Sequence, residues 1–182
     1  MNSFSEVYEV MVDYGLIIKQ IESLAEASFE CIPVMANTAA LLFSEMPDIN
    51  WAGFYLVKGD HLLLGPFQGK VACVRIEKGR GVCGSAWEED RIQLVPDVHA
   101  FPGHIACDSA SRSEIVIPLH KGEEVAAVLD IDSPLFSRFD EKDREGLKEL
   151  SETLERIIWN EEPSTRSNSV SGAMKRYSGT KR

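Results

Sequence analysis

The chain has 182 residues, 44% of them apolar and 26% charged, with a formal net charge of −10. That length fits one ordinary domain, and the composition supplies both a core and a soluble surface, which excludes wholesale disorder. An acidic chain repels the phosphate backbone, so no nucleic-acid surface is expected. The charge is uneven: beyond Pro163 there are five basic residues and no acidic ones, which leaves 14 basic against 29 acidic residues in 1–162. We read 1–162 as a single acidic domain and 163–182 as a flexible basic tail. No stretch approaches the ~20 apolar residues of a membrane span. The first ten residues lack the basic and apolar regions of a signal peptide, so the cytosol is the expected compartment. Cysteines there stay reduced, and a disulfide among the four would be transient and catalytic rather than structural.

In chain order, Val7, Val10, Met11, Tyr14, Ile17, Ile18, Ile21 and Leu24 recur at three- and four-residue intervals, the period of an amphipathic helix. A second helix is expected after Pro33, carrying Met35, Ala39, Leu42 and Met46 and ending at Pro47. From Trp51 the pattern turns to strands: 51–58 and 61–65 around Gly59-Asp60, then 71–76 by alternation. A short helix over 85–90 and a short strand over 92–95 follow the glycine-rich stretch 79–84. Residues 113–119 and 124–131 flank Lys121-Gly122 as a hairpin, and a helix runs from about Asp140, its N-cap, to Trp159. Strands bracketed by helices predict an α+β fold, with a central, mainly antiparallel sheet of about six strands flanked by helices.

The chemistry-bearing residues gather in the loop-rich middle. Cys83, in Gly79-Arg-Gly-Val-Cys-Gly84, enters a helix N-terminus beside Arg80, which would ease ionisation of its thiol; the bland alternative is a small buried thiol in a turn. Cys107 sits among His104, Asp108, Ser109 and Arg112, a polar setting that suits a nucleophilic thiolate better than a core position. Cys73 alternates with Val71 and Arg75 as a strand residue would, and Cys31 reads as packing. The separations between these cysteines match neither a Cys-x-x-Cys motif nor the paired short spacings of a structural zinc site. Zinc held with His99 or His104 is poorly supported, and no metal or cofactor is expected. Asp130 and Asp132 share a strand face, with Glu114 on the neighbouring strand. Three gathered carboxylates could bind an ammonium group, or one could stay protonated as a general acid; a solvated strand end is the alternative. Trp51 and Tyr55 share a face and could form an aromatic wall, or simply core.

Taken together, the segments 48–55, 64–70, 79–84, 97–111, 113–118 and 129–134 closely resemble the free methionine-(R)-sulfoxide reductases, a catalytic branch of the GAF-domain superfamily. The resemblance runs from about Asn37 to Trp159. It implies a GAF-like fold, a homodimer, and reduction of free methionine-(R)-sulfoxide to methionine without metal or organic cofactor. By motif, Cys107 resembles the catalytic cysteine, Cys83 the resolving one and Cys73 an additional redox cysteine. Glu114, Asp130 and Asp132 match the carboxylates that hold substrate, and Trp51 and Tyr55 its aromatic contacts. The implied cycle passes through a Cys107 sulfenic acid and a disulfide that thioredoxin reduces. The alternative is a GAF module that senses a small molecule without chemistry.

Overall fold

The computed structural model describes residues 11–103 and 109–160. The element order is α1 (Tyr14–Ala25), α2 (Cys31–Glu45), β1 (Trp51–Lys58), β2 (His61–Gly69), β3 (Arg75–Glu77), α3 (Gly81–Glu89), β4 (Gln93–Val95), β5 (Ser113–Lys121), β6 (Glu124–Ser133) and α4 (Glu141–Glu155). One six-stranded sheet, in the order β3-β2-β1-β6-β5-β4, is antiparallel throughout. The expected tail, 163–182, lies outside the described residues. No described helix is long and apolar enough to cross a membrane.

Side chains alternate across the strands, so each strand feeds two cores. Ala52, Phe54, Ile115, Ile117, Leu119, Leu129 and Ile131 pack against α1, α2 and α4 on one face. Tyr55, Val116 and Val128 face the opposite way, where Val82, Ala86 and Trp87 of α3 cover them. The β5–β6 hairpin turns at Gly122, whose φ of +66° suits a residue without a side chain. Asp140 caps α4 as expected: its side chain accepts from the Lys142 and Asp143 amides, and Asp143 reciprocates in a capping box.

His120, near the end of β5, braces the two helical layers. Its Nε2 lies 2.7 Å from Asp90 Oδ1 at the end of α3, and its Nδ1 3.0 Å from Glu155 Oε1 of α4. Burial alone would lower the His120 pKa, but the bonds to Asp90 and Glu155 outweigh it and raise the value.

Four boundaries differ from the sequence reading, the first being α3, which begins at Gly81 rather than at 85 and so takes in Cys83. Helix α2 begins at Cys31, with Pro33 inside its first turn, where an amide has no intrahelical partner to lose. Strand β2 continues past Gly65 to Gly69, and a bulge opposite Phe54 accommodates Pro66. The expected strand over 71–76 shrinks to Arg75–Glu77. Val74 O still accepts from the Leu64 amide of β2, but the chain before it leaves the ladder, and Cys73 O accepts instead from the Tyr55 hydroxyl.

Candidate active site

The sheet face beneath α3 sets the floor of a cavity. Trp51 pairs with Asp132 and Asp132 with Glu114; in the next row Gly53 pairs with Asp130 and Asp130 with Val116. Three carboxylates from two strands therefore lie beside one aromatic strand. Trp51 stacks on Phe67 with centroids 5.4 Å apart and on Tyr55 at 6.0 Å. Gly53 makes this possible: a Cβ there would stand 2.3 Å from Phe67 Cβ and 2.6 Å from Trp51 Cη2. Both polar tips hold the segment that left the ladder, since Trp51 Nε1 donates to Lys70 O and the Tyr55 hydroxyl to Cys73 O. That segment becomes a wall, with Val71 and Ala72 lining it. The cavity is a small cleft open at its mouth, with about 40 Å³ of room for the centre of a water molecule.

Helix α3 closes the floor with Cys83, whose Sγ lies 3.8 Å from Glu114 Oε1. Ligand atoms of Cys83, Glu114 and Asp130 all fall within 4.8 Å of one another. Glu114 and Asp130 are each only 7% exposed, and Asp130 Oδ1 has no hydrogen-bond partner. Burial pushes Asp130 up to about 6, against the opposing effect of its bonds with Cys83 and Glu114. Burial, reinforced by the charges of Asp130 and Asp132, pushes Glu114 well above the carboxylate range. Of the two, Glu114 is the one that burial and the neighbouring charges push toward its protonated form most strongly. Tyr55 is raised by burial and by the Asp130 charge, so it stays a phenol.

Cys83 departs from the sequence reading. Its thiol is pushed up, first by burial and then by the charges of Asp130 and Glu114, and these outweigh the helix N-terminus and Arg80. It is a free thiol, as is Cys31, whereas Cys73 is disulfide-bonded. The structure brings Trp51, Tyr55, Cys83, Glu114, Asp130 and Asp132 to one cavity and holds Cys73 on the segment that walls it. Cys107 lies outside the described residues. Phe67, the third ring of the stack, was not evident in the sequence because the bulge at Pro66 breaks the alternation that would have marked it. Arg80 is the cation among the described lining residues.

The GAF domain profile matches residues 34–158. The free methionine-R-sulfoxide reductase of Escherichia coli (strain K12) is 50% identical over 145 residues, covering 80% of this chain and 88% of that one. The chain belongs to the free methionine-R-sulfoxide reductases, within the GAF domains. Solved structures of the family superpose closely. The reduced Staphylococcus aureus fRMsr has a TM-score of 0.79 at 47% identity, covering 81% of this chain and 96% of that one. The Neisseria meningitidis free methionine-R-sulfoxide reductase, in complex with its substrate, has a TM-score of 0.77 at 46% identity, covering 80% and 87%. The family's GAF fold is the α+β fold expected from the sequence.

Proposed function

We propose that the protein reduces free L-methionine-(R)-S-oxide to L-methionine, with Cys107 as the nucleophile and the cavity over Glu114, Asp130 and Asp132 as the substrate site. The observation that carries this reading is the buried carboxyl pair. It offers a protonated acid at Glu114 and an ionised, unpartnered oxygen at Asp130 under an aromatic wall. Asp130 and Asp132 take the α-ammonium group, and Arg80 at the rim takes the α-carboxylate. The rings of Trp51 and Tyr55 flank the sulfur-bearing chain.

The Cys107 thiolate attacks the sulfoxide sulfur while Glu114 donates a proton to the oxygen, which would otherwise be a poor leaving group. The oxygen passes to the cysteine, leaving methionine and a Cys107 sulfenic acid, so the substrate gains two electrons and the cysteine loses them. A second thiol condenses with the sulfenic acid, expelling water and forming a disulfide. The disulfide at Cys73 and the raised, buried thiol of Cys83 favour Cys73 for this step, with Cys83 as the auxiliary thiol. That exchanges the two roles the family resemblance implies. A dithiol such as thioredoxin then restores both thiols by exchange. The reaction belongs to a cytosolic homodimer.

The test is consumption of each epimer of free methionine sulfoxide by the purified chain with a dithiol reductant. We expect loss of the R epimer alone and no turnover of N-acetylmethionine sulfoxide. Equal consumption of both epimers, or none of either, overturns the reading.

A further inference from the structure

We propose that the floor of the cavity is a zinc site, in which Cys83, Glu114 and Asp130 bind Zn²⁺ in competition with the amino-acid substrate. Three features point there. First, one ligand comes from each of α3, β5 and β6, so three packed elements hold the set in place. Second, the Cys83 Sγ–Glu114 Oε1 separation of 3.8 Å is close to the ~3.5 Å that a sulfur and an oxygen ligand subtend across a tetrahedral zinc. All three ligand atoms lie within 4.8 Å of one another, so side-chain movement of about an ångström at the widest pair closes the shell. Third, Asp130 Oδ1 is buried in the cavity lining without a donor, so a cation there satisfies an oxygen that no hydrogen bond uses.

Two carboxylates and a thiol form a mixed hard and soft set that suits zinc and discriminates against Mg²⁺ and Ca²⁺, which favour oxygen-only shells. Binding releases the protons of the Cys83 thiol and the Glu114 carboxyl to solvent, so affinity falls as pH is lowered. The fourth ligand position faces the open cavity. A bound ion occupies the Asp130 oxygen that the ammonium group would use and removes the Glu114 proton. Zinc is therefore an inhibitor here, not a participant. The competition rests on the proposed substrate site; the binding does not.

The test uses the full chain with the Cys73 disulfide intact, titrated with Zn²⁺ alone against a chromogenic zinc chelator at neutral pH. We expect one ion per chain, no displacement by millimolar Mg²⁺, and zinc X-ray absorption showing a single sulfur ligand at ~2.3 Å. Cys83→Ala and Asp130→Asn should each weaken binding at least about tenfold, while Cys31→Ala leaves it unchanged. Absence of binding, an absorption spectrum without sulfur, or undiminished binding by Cys83→Ala overturns the site. In turnover, Zn²⁺ should raise KM for the sulfoxide at constant kcat; inhibition that excess substrate does not relieve overturns the competition. If the chain binds zinc through Cys83 yet reduces no sulfoxide, the metal site stands and the reductase reading falls.

Discussion

Replacing Asp130 with Asn separates what the buried carboxylate costs the fold from what it does for the substrate. In the ligand-free protein Asp130 is held at about 6 against an ordinary 3.8. At ~1.4 kcal/mol per tenfold change in proton affinity, the ionised group carries a penalty of about 3 kcal/mol above pH 6. The sign follows from proton binding: between 3.8 and about 6 the native state holds the proton more tightly than the unfolded chain, so stability falls as pH rises through that window. The penalty is absent below 3.8 and complete above about 6. An amide keeps the shape without the charge. Because Glu114 shares the proton and the amide still buries polar atoms, about 1–3 kcal/mol should be recovered, or roughly 3–10 °C in melting temperature. Thermal melts at pH 8, 6 and 4 read this directly. The variant should be the more stable protein at pH 8, and the difference should vanish by pH 4. A variant less stable than the parent at pH 8, or a gain independent of pH, refutes the reasoning. The same change should weaken binding of the free amino-acid sulfoxide by about ten- to a hundredfold, since a buried charge-assisted hydrogen bond to the ammonium group is lost.

Cys107→Ser should lose turnover entirely while its melting temperature stays within a degree or two of the parent's when both are fully reduced. Cys73→Ser should reduce about one sulfoxide per chain and then stall in single-turnover assays with thioredoxin, whereas Cys83→Ser should keep cycling. Gly53→Ala drives a methyl group into Phe67 and Trp51, so it should destabilise the fold by about 1–3 kcal/mol in urea unfolding and raise KM by displacing the indole. The bonds to Asp90 and Glu155 raise His120, so its stabilising effect is full below the ordinary histidine pKa and fades as pH rises through the raised one. His120→Gln should therefore cost more stability at pH 6 than at pH 9, measured by denaturant midpoints.

What the sequence made legible was whatever alternation and capping encode locally. The Asp140 cap, the hairpin at Gly122 and the shared face of Asp130 and Asp132 all follow from spacing alone, and the structure agrees. The wall over 71–74 did not follow. Its alternation reads as strand, yet two hydrogen bonds from a strand some twenty residues earlier pull it off the sheet, and no local signal records them. Cys83 shows the same gap in electrostatic form. Its neighbours in sequence, Arg80 and a helix N-terminus, argue for an easily ionised thiol. Its neighbours in space, Glu114 and Asp130, lie 31 and 47 positions away and reverse the direction. Short-range chemistry was readable, and long-range field was not.

One burial supplies two functions at this site. A carboxylate sealed without a counter-charge is costly, and two of them within reach of each other cannot both ionise. The sheet register forces that situation by pairing Asp130 and Asp132 with the β5 rows that carry Glu114 and Val116. Burial and the neighbouring charges favour the proton on Glu114, and the bonds from Glu114 and Cys83 favour the charge on Asp130. The first is the acid that a sulfoxide oxygen requires, and the second is a vacancy for a cation. A free amino acid brings its own cation to fill it. A methionine sulfoxide within a peptide brings a neutral amide, which leaves the charge uncompensated and adds a desolvated group. Selectivity for the free amino acid then arises from the same repulsion that raises the acid, so a variant that relaxes one should relax the other. Glu114→Gln, which keeps the shape but supplies no proton, should therefore lower kcat steeply. The bond from Glu114 lowers Asp130, so exchanging the acid hydroxyl for a weaker amide donor should let Asp130 ionise only at higher pH, shifting the acid limb of substrate binding above about 6.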